Sequence, residues 1–199
     1  SPSSAASDVY KRQRLEYSMM QLTDLSSFSD AHEALCIPII AANLHHLMLP
    51  CQSLIWAVIR KEDSAQRLYY SMTSTFLGRM CLSGDINELS EMQWAVINEC
   101  RAFYEECKPL IKKGQTKILR DEILSYRQPN GCQVVYRFNE NKALLVIHNF
   151  DQTTVELPFE IGEITHACGM ETQKIVVKKM RDKCRIEFPQ HSMGCALLV

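Results

Sequence analysis

The sequence predicts an α/β half followed by an all-β half, and three observations carry that reading. A short apolar run at Met80–Leu82 stops at Ser83-Gly84-Asp85, and a long amphipathic helix opens at Ser90. Two similar strand-then-helix alternations precede it. Beyond Gly114 the texture changes to short runs rich in β-branched and aromatic residues, punctuated by Pro129-Asn130-Gly131.

The long helix is the clearest element. Ser90 with Gln93 three residues on makes a capping box, in which each side chain satisfies an orphan amide at the helix start. Met92, Val96, Cys100, Phe103, Cys107 and Leu110 then recur at steps of three and four, the spacing of one buried face. Upstream, Leu15–Leu22 has the composition of a buried strand ending at Thr23-Asp24. Asp30 or Ser29 can cap a helix from Ala31 to about Met48, distorted by Pro38 and ended by Pro50. Ser53–Ile59 (SLIWAVI) is a second buried strand, closed by Arg60-Lys61-Glu62. Asp63 or Ser64 caps a helix over Leu68, Met72 and Phe76, with Gly78 at its end. Three βα units with polar residues after each strand imply a parallel sheet or barrel with its site at the strands' C-terminal ends.

The second half reads as an antiparallel sandwich. Its expected strands are Gln133–Phe138, Ala143–Phe150, Thr153–Leu157, Lys174–Lys178, Cys184–Phe188 and Cys195–Val199. Asn139-Glu140-Asn141 and Asp151-Gln152 have turn composition. The boundary falls near residue 115, giving segments 14–115 and 116–199.

Charge and cysteine usage narrow the function classes. A net charge of −1 over 199 residues leaves no basic footprint, which argues against nucleic acid and anionic membrane as partners. No apolar run has the length of a bilayer-spanning helix. The nine cysteines are scattered through apolar runs without a CxxC pair or zinc spacing, as reduced core thiols in a cytoplasmic protein would be. His32, His45 and His46 have no metal spacing with a third ligand nearby. Residues 1–13 stand apart: Ser3–Gln13 (SSAASDVYKRQ) resembles a translated sequencing adapter, so they are excluded from the fold reading. The native protein is accordingly expected to begin upstream.

Several residues can carry chemistry. Asp24 is expected where a strand ends, a rim position at which partial desolvation would suit a carboxyl to general acid work. It also suits the plain role of turning or capping its loop. Asp30 reads more as a helix cap. Asp85 either lines the same rim or braces it. Trp56 is a core residue or a sugar-stacking platform, and Arg60 a ligand contact or a solvated charge.

The block from Ser71 to Gly114, SMTSTFLGRMCLSGDINELSEMQWAVINECRAFYEECKPLIKKG, resembles the end of the catalytic barrel of melibiase-type α-galactosidases. These are glycoside hydrolases of family 36, related to family 27. In them a small-residue helix leads into the eighth strand, a polar SND or SGD motif follows, and an LS cap opens a long final helix. The resemblance extends from residue 15 to 199 and is architectural beyond 116. It implies that Leu15–Leu22, Ser53–Ile59 and Met80–Leu82 are strands six to eight of a TIM (β/α)8 barrel, with a C-terminal β-sandwich domain after them.

It further implies retaining hydrolysis of terminal α-galactosides, with no metal or organic cofactor and an α-galactoside or related oligosaccharide as the partner. An oligomer is compatible with it. The family's acid/base is an Asp at the end of the sixth strand, often with another three residues on. Thr23-Asp24 matches that position and Asp30 resembles the second, six residues on, so both stay candidates. The arginine that family 27 has four residues before the acid is Met20 here. Asp85, Trp56 and Arg60 stay the candidate substrate contacts read from the residues themselves. The nucleophilic Asp belongs to the fourth strand, outside this chain, so the chain alone is expected to be inactive. Two alternatives stand beside this reading: a carbohydrate-binding or structural piece in which Asp24 is only a loop residue, and a galactosyl transferase related to raffinose synthases.

Overall fold

The computed structural model describes residues 22–27, 34–123, 129–157 and 163–199. They form a mixed α/β structure of one parallel and two antiparallel sheets. The parallel sheet has the order β1 (Ser26–Ser27), β2 (Ser53–Ile59), β3 (Arg79–Gly84). Helix α1 (Cys36–Leu44) connects β1 to β2, and α2 (Ala65–Ser74) with a 3-10 turn at Thr75–Leu77 connects β2 to β3. Helix α3 (Glu91–Lys113) follows β3.

Strand β2 lies where the sequence predicts it. Its apolar run is buried on alternate residues, with Ile55, Ala57 and Ile59 inaccessible and Leu54, Trp56 and Val58 partly exposed on the other face. Ser64 caps α2 by accepting from the Arg67 N–H, whereas Asp63 accepts from the Arg60 N–H and turns the loop instead. Gly78 is needed for close approach, because a Cβ there would lie 2.4 Å from the Ser53 carbonyl oxygen. The capping box at Ser90 and Gln93 is formed on both sides.

Two expectations change at this level and one lies almost wholly outside the described residues. The strand at Leu15–Leu22 falls outside the described residues except for Leu22, an exposed turn residue; the strand paired with β2 is Ser26–Ser27, after Asp24. The described helix in the predicted 31–48 span begins at Cys36, which puts Pro38 in its first turn, where the missing N–H costs no helical bond. The buried stripe of α3 runs through Gln93, Ile97, Cys100, Phe103, Cys107 and Leu110, so Met92 is exposed. Gln93 takes the inward place because its amide is anchored across the helix start.

Among the described residues the second half contains eight strands: β4 (Gln115–Asp121), β5 (Cys132–Phe138), β6 (Ala143–Asn149), β7 (Thr153–Leu157), β8 (Ile164–Met170), β9 (Val176–Lys179), β10 (Cys184–Phe188) and β11 (Met193–Leu198). Strands β4-β5-β6-β11-β8 make a five-stranded antiparallel sheet and β7-β10-β9 a three-stranded one. Strands β4 and β8 are additions to the six expected, and β9 begins two residues late because Thr172–Lys174 form a 3-10 turn.

The five-stranded sheet is covered on both faces. One face, with Val134, Tyr136, Leu145 and Ala196, packs on the small sheet through Leu157 and Ile186. The other, with Val135, Leu144, Val146 and Leu197, joins the core of α1, α2, α3 and β2. The halves thus share one hydrophobic cluster. Arg137 and His148 are two of the polar side chains fully buried in this seam. Arg137 of β5 donates to the carbonyls of Phe76 and Leu77 (3.3 and 3.2 Å) and to the Thr116 hydroxyl (3.2 Å). These carbonyls end the α2 segment, where orphan acceptors favour a cation. His148 donates through Nε2 to the Ser74 hydroxyl (3.1 Å), which donates onward to the Tyr70 carbonyl. Among the described residues no helix is long and apolar enough to cross a membrane.

His45 and His148 make the seam acid-sensitive. Burial, helped at His45 by the adjacent Arg137 charge, lowers them from 6.5 to about 4 and about 3 respectively. Both are neutral in the fold, while the unfolded chain takes up protons near pH 6.5. The unfolded state therefore binds more protons in this window, and stability is full above about pH 6.5 and falls toward pH 4. Each imidazole should cost about 2 kcal/mol at pH 5 relative to pH 7. Guanidinium unfolding at the two pH values should show His45→Gln losing about 2 kcal/mol less than the parent. Equal losses would remove His45 from the account.

Candidate functional site at the ends of the parallel strands

The polar groups after β2 and β3 converge because each strand ends in a tight, specified turn. Gly84 has φ +105°, and a Cβ there would lie 1.9 Å from the Ile59 carbonyl oxygen. The following Asp85 N–H donates to that same oxygen at 2.8 Å, which fastens the end of β3 to the end of β2. This is the physical content of Ser83-Gly84-Asp85: a glycine for the approach and an Asp delivered to the rim.

Asp85 then meets the loop after β2. Its carboxylate accepts from the Arg60 guanidinium (3.2 Å) and from the Lys61 N–H (3.3 Å). Lys61 Nζ is paired with Glu88. Arg60 remains more than half exposed and Asp85 about a quarter. A part-exposed carboxylate beside a guanidinium offers acceptors and donors together, the pairing that vicinal hydroxyls of a sugar require.

Gln93 holds this loop in place, a role that sequence reasoning assigned only to capping. Its Oε1 accepts from the Ser90 N–H (3.0 Å), and its Nε2 donates to the Arg60 carbonyl (3.1 Å). The start of α3 is thereby tied to the residue that carries the guanidinium. The signal available in the sequence was a capping residue at the first inward position of the helix.

Trp56 lies on the β2 face turned away from the helices, in register with Cys81, and its indole N–H donates to the Ser27 hydroxyl at 3.0 Å. Its ring spans β1 and β2 below the rim. Asp24 is exposed, precedes β1, and makes no side-chain hydrogen bond among the described residues. The structure therefore brings Arg60 and Asp85 together, sets Trp56 on the same sheet, and leaves Asp24 on the entry side of β1. Asp30 and His32 lie outside the described residues. His45 is occupied by the Leu77 carbonyl (2.8 Å) in the seam, and no group of three metal-ligating side chains occurs among the described residues.

Known structures place this architecture. An α-amylase from H. orenii superposes with a TM-score of 0.57 at 8% identity, over 93% of this chain and 51% of that one. The Anoxybacillus α-amylase, described as a new glycosyl hydrolase subclass, gives 0.55 at 11% identity over 83% and 45%. The Nostoc punctiforme debranching enzyme gives 0.51 at 10% identity over 83% and 46%. The fold is shared with amylase-type glycoside hydrolases. The chain spans about half the length of these relatives in structure. No protein-family model and no curated protein matches the sequence.

The rim turn generates a direct test. Gly84→Ala must either break the β2–β3 register or displace the Ile59 carbonyl, and should cost at least about 2 kcal/mol in denaturant unfolding. A cost below about 0.5 kcal/mol would mean that the turn accepts a side chain and does not specify the rim.

Proposed function

We propose that this chain is the C-terminal part of a retaining glycoside hydrolase acting on terminal α-galactosides. Residues 14–115 would close a (β/α)8 barrel and residues 116–199 would form its sandwich domain. The observation that carries the proposal is the pairing of Arg60 with Asp85 at the C-terminal ends of adjacent parallel strands, the end at which barrel enzymes assemble their sites. The sheet itself supports a larger barrel. Leu54, Trp56 and Val58 are apolar yet only partly covered, and β3 is an edge strand of the parallel sheet. Likeness to amylase-type structures supports carbohydrate chemistry; the residues at 71–114 that resemble melibiases favour galactosides within it.

A retaining glycosidase needs one carboxyl to attack the anomeric carbon and a second, about 5 Å away, to protonate the leaving oxygen. In this proposal the nucleophile comes from an earlier barrel strand. The acid/base comes from the segment after β1. Asp24 precedes β1 (Ser26–Ser27), on the entry side of that strand, whereas Asp30 comes after these residues in the sequence and lies outside the described residues. This favours Asp30 as the acid and Asp24 as a loop residue. Asp85 and Arg60 would bind hydroxyls, and Trp56 would back the sugar from the barrel interior.

The test uses the longer protein that completes the barrel. Asp30→Asn should slow substrates with poor leaving groups far more than activated aryl α-galactosides, and azide should restore turnover by attacking the glycosyl-enzyme without base assistance. Asp24→Asn should leave both unchanged. The reverse result would move the acid to Asp24 and keep the hydrolase reading. If neither variant shows leaving-group dependence, the hydrolase reading fails.

A further inference from the structure

Helix α3 and strand β8 meet along a seam with three interlocking contacts. The Phe103 ring lies edge-on to His166, with centroids 4.6 Å apart. His166 Nδ1 is 2.7 Å from the Glu106 carboxylate on the next turn. One turn before Phe103, Cys100 faces Cys168, with the two Sγ atoms 3.7 Å apart. Both thiols are buried, at 3% exposure each. The pair is not an accident of a loose surface, since the ring and hydrogen-bond contacts on the same two elements fix the register that opposes them.

We propose that Cys100 and Cys168 are an oxidative modification site, a dithiol that hydroperoxides convert to a disulfide joining α3 to β8. The thiolate of one cysteine attacks the peroxide O–O bond, giving a sulfenic acid and, after proton uptake, water or an alcohol. The second thiol attacks the sulfenic sulfur, forms the S–S bond and releases water. Two thiols lose two protons and two electrons, and one peroxide is reduced. The sulfurs must close from 3.7 Å to about 2.05 Å for the bond to form.

The surroundings set the rate and the choice of partner. The Cys168 S–H donates to Cys100 Sγ, and this bond, then burial, pushes the Cys168 thiol well up. Cys168 therefore keeps its proton, and Cys100, the acceptor of that hydrogen bond, is assigned as the sulfur that meets the peroxide. Cys107 and Cys195 lie in the same cluster, but burial raises Cys107 to about 12 and holds Cys195 far above its usual range, so both stay protonated. The reaction in the folded chain should be slow and selective. The link joins residues from the two halves of the molecule and would convert their packing contact into a covalent one.

The experiment treats the folded chain with hydrogen peroxide, quenches it, alkylates free thiols under denaturing conditions and maps the peptides by mass spectrometry. The expected product is one cross-linked peptide pair containing Cys100 and Cys168, lighter by two hydrogens and released by dithiothreitol. Cys168→Ser should abolish the cross-linked pair and leave Cys100 as sulfenic acid, trapped by dimedone. Full alkylation of both cysteines in the treated parent chain would overturn the proposal. So would a disulfide that links either of them to Cys107, Cys195 or another cysteine instead.

Discussion

Arg137 is a full positive charge buried where the five-stranded sheet meets the helices, with no carboxylate beside it among the described residues. Desolvation lowers its pKa to about 10 and is the largest cost it bears. That cost is offset by the carbonyls of Phe76 and Leu77, which end the α2 segment without helical partners, and by Thr116 on the neighbouring strand. Everything downstream inherits this contact. The position of Leu77 sets Gly78, Gly78 packs its backbone on Ser53, and the register of β3 against β2 follows. The rim is the far end of that register, where Gly84 reaches Ile59 and Asp85 reaches Arg60. A contact in the seam thus fixes groups at the candidate site without touching them.

The legible parts of the sequence were those whose physics is local. SLIWAVI is a strand because its branched and aromatic residues fill a pleated surface on both sides, and Ser90 with Gln93 marks a helix start by its own hydrogen bonds. Strands β4 and β8 were not legible. They are the two edges of the five-stranded sheet, and sequences such as QTKILRD and ITHACGM mix polar and small residues because one side of each faces solvent. Strand β1 is harder still: two serines, placed by pairing with β2, give no apolar signal at all. The position of Asp24 relative to the strand depended on that invisible element. Arg60 and Asp85 were readable as strand-end residues, but the bond that joins Gln93 to the Arg60 carbonyl belongs to tertiary packing.

Fold and sequence carry different amounts of functional information here. Identity of 8–11% to the amylase-type structures leaves the arrangement of sheets and helices as the common property. What distinguishes one carbohydrate chemistry from another on such a scaffold lies in a handful of side chains at the strand ends. At the strand ends of this chain lie a guanidinium–carboxylate pair and a turn that only glycine fits, with a tryptophan on the sheet face turned away from the helices. A guanidinium beside a part-exposed carboxylate offers hydrogen-bond donors and acceptors together.

The central structural claim is that Arg137 joins the two halves into one cooperative unit. Native-state hydrogen exchange tests it most directly, by comparing amides of β2 and β3 with amides of β5 and β6 in the parent chain and in Arg137→Met. The account predicts that both groups open with the same free energy in the parent, and that the substitution lowers the protection of β2 and β3 while β5 and β6 stay protected. Independent opening of the two groups in the parent, or no change in β2 and β3 on substitution, would contradict it.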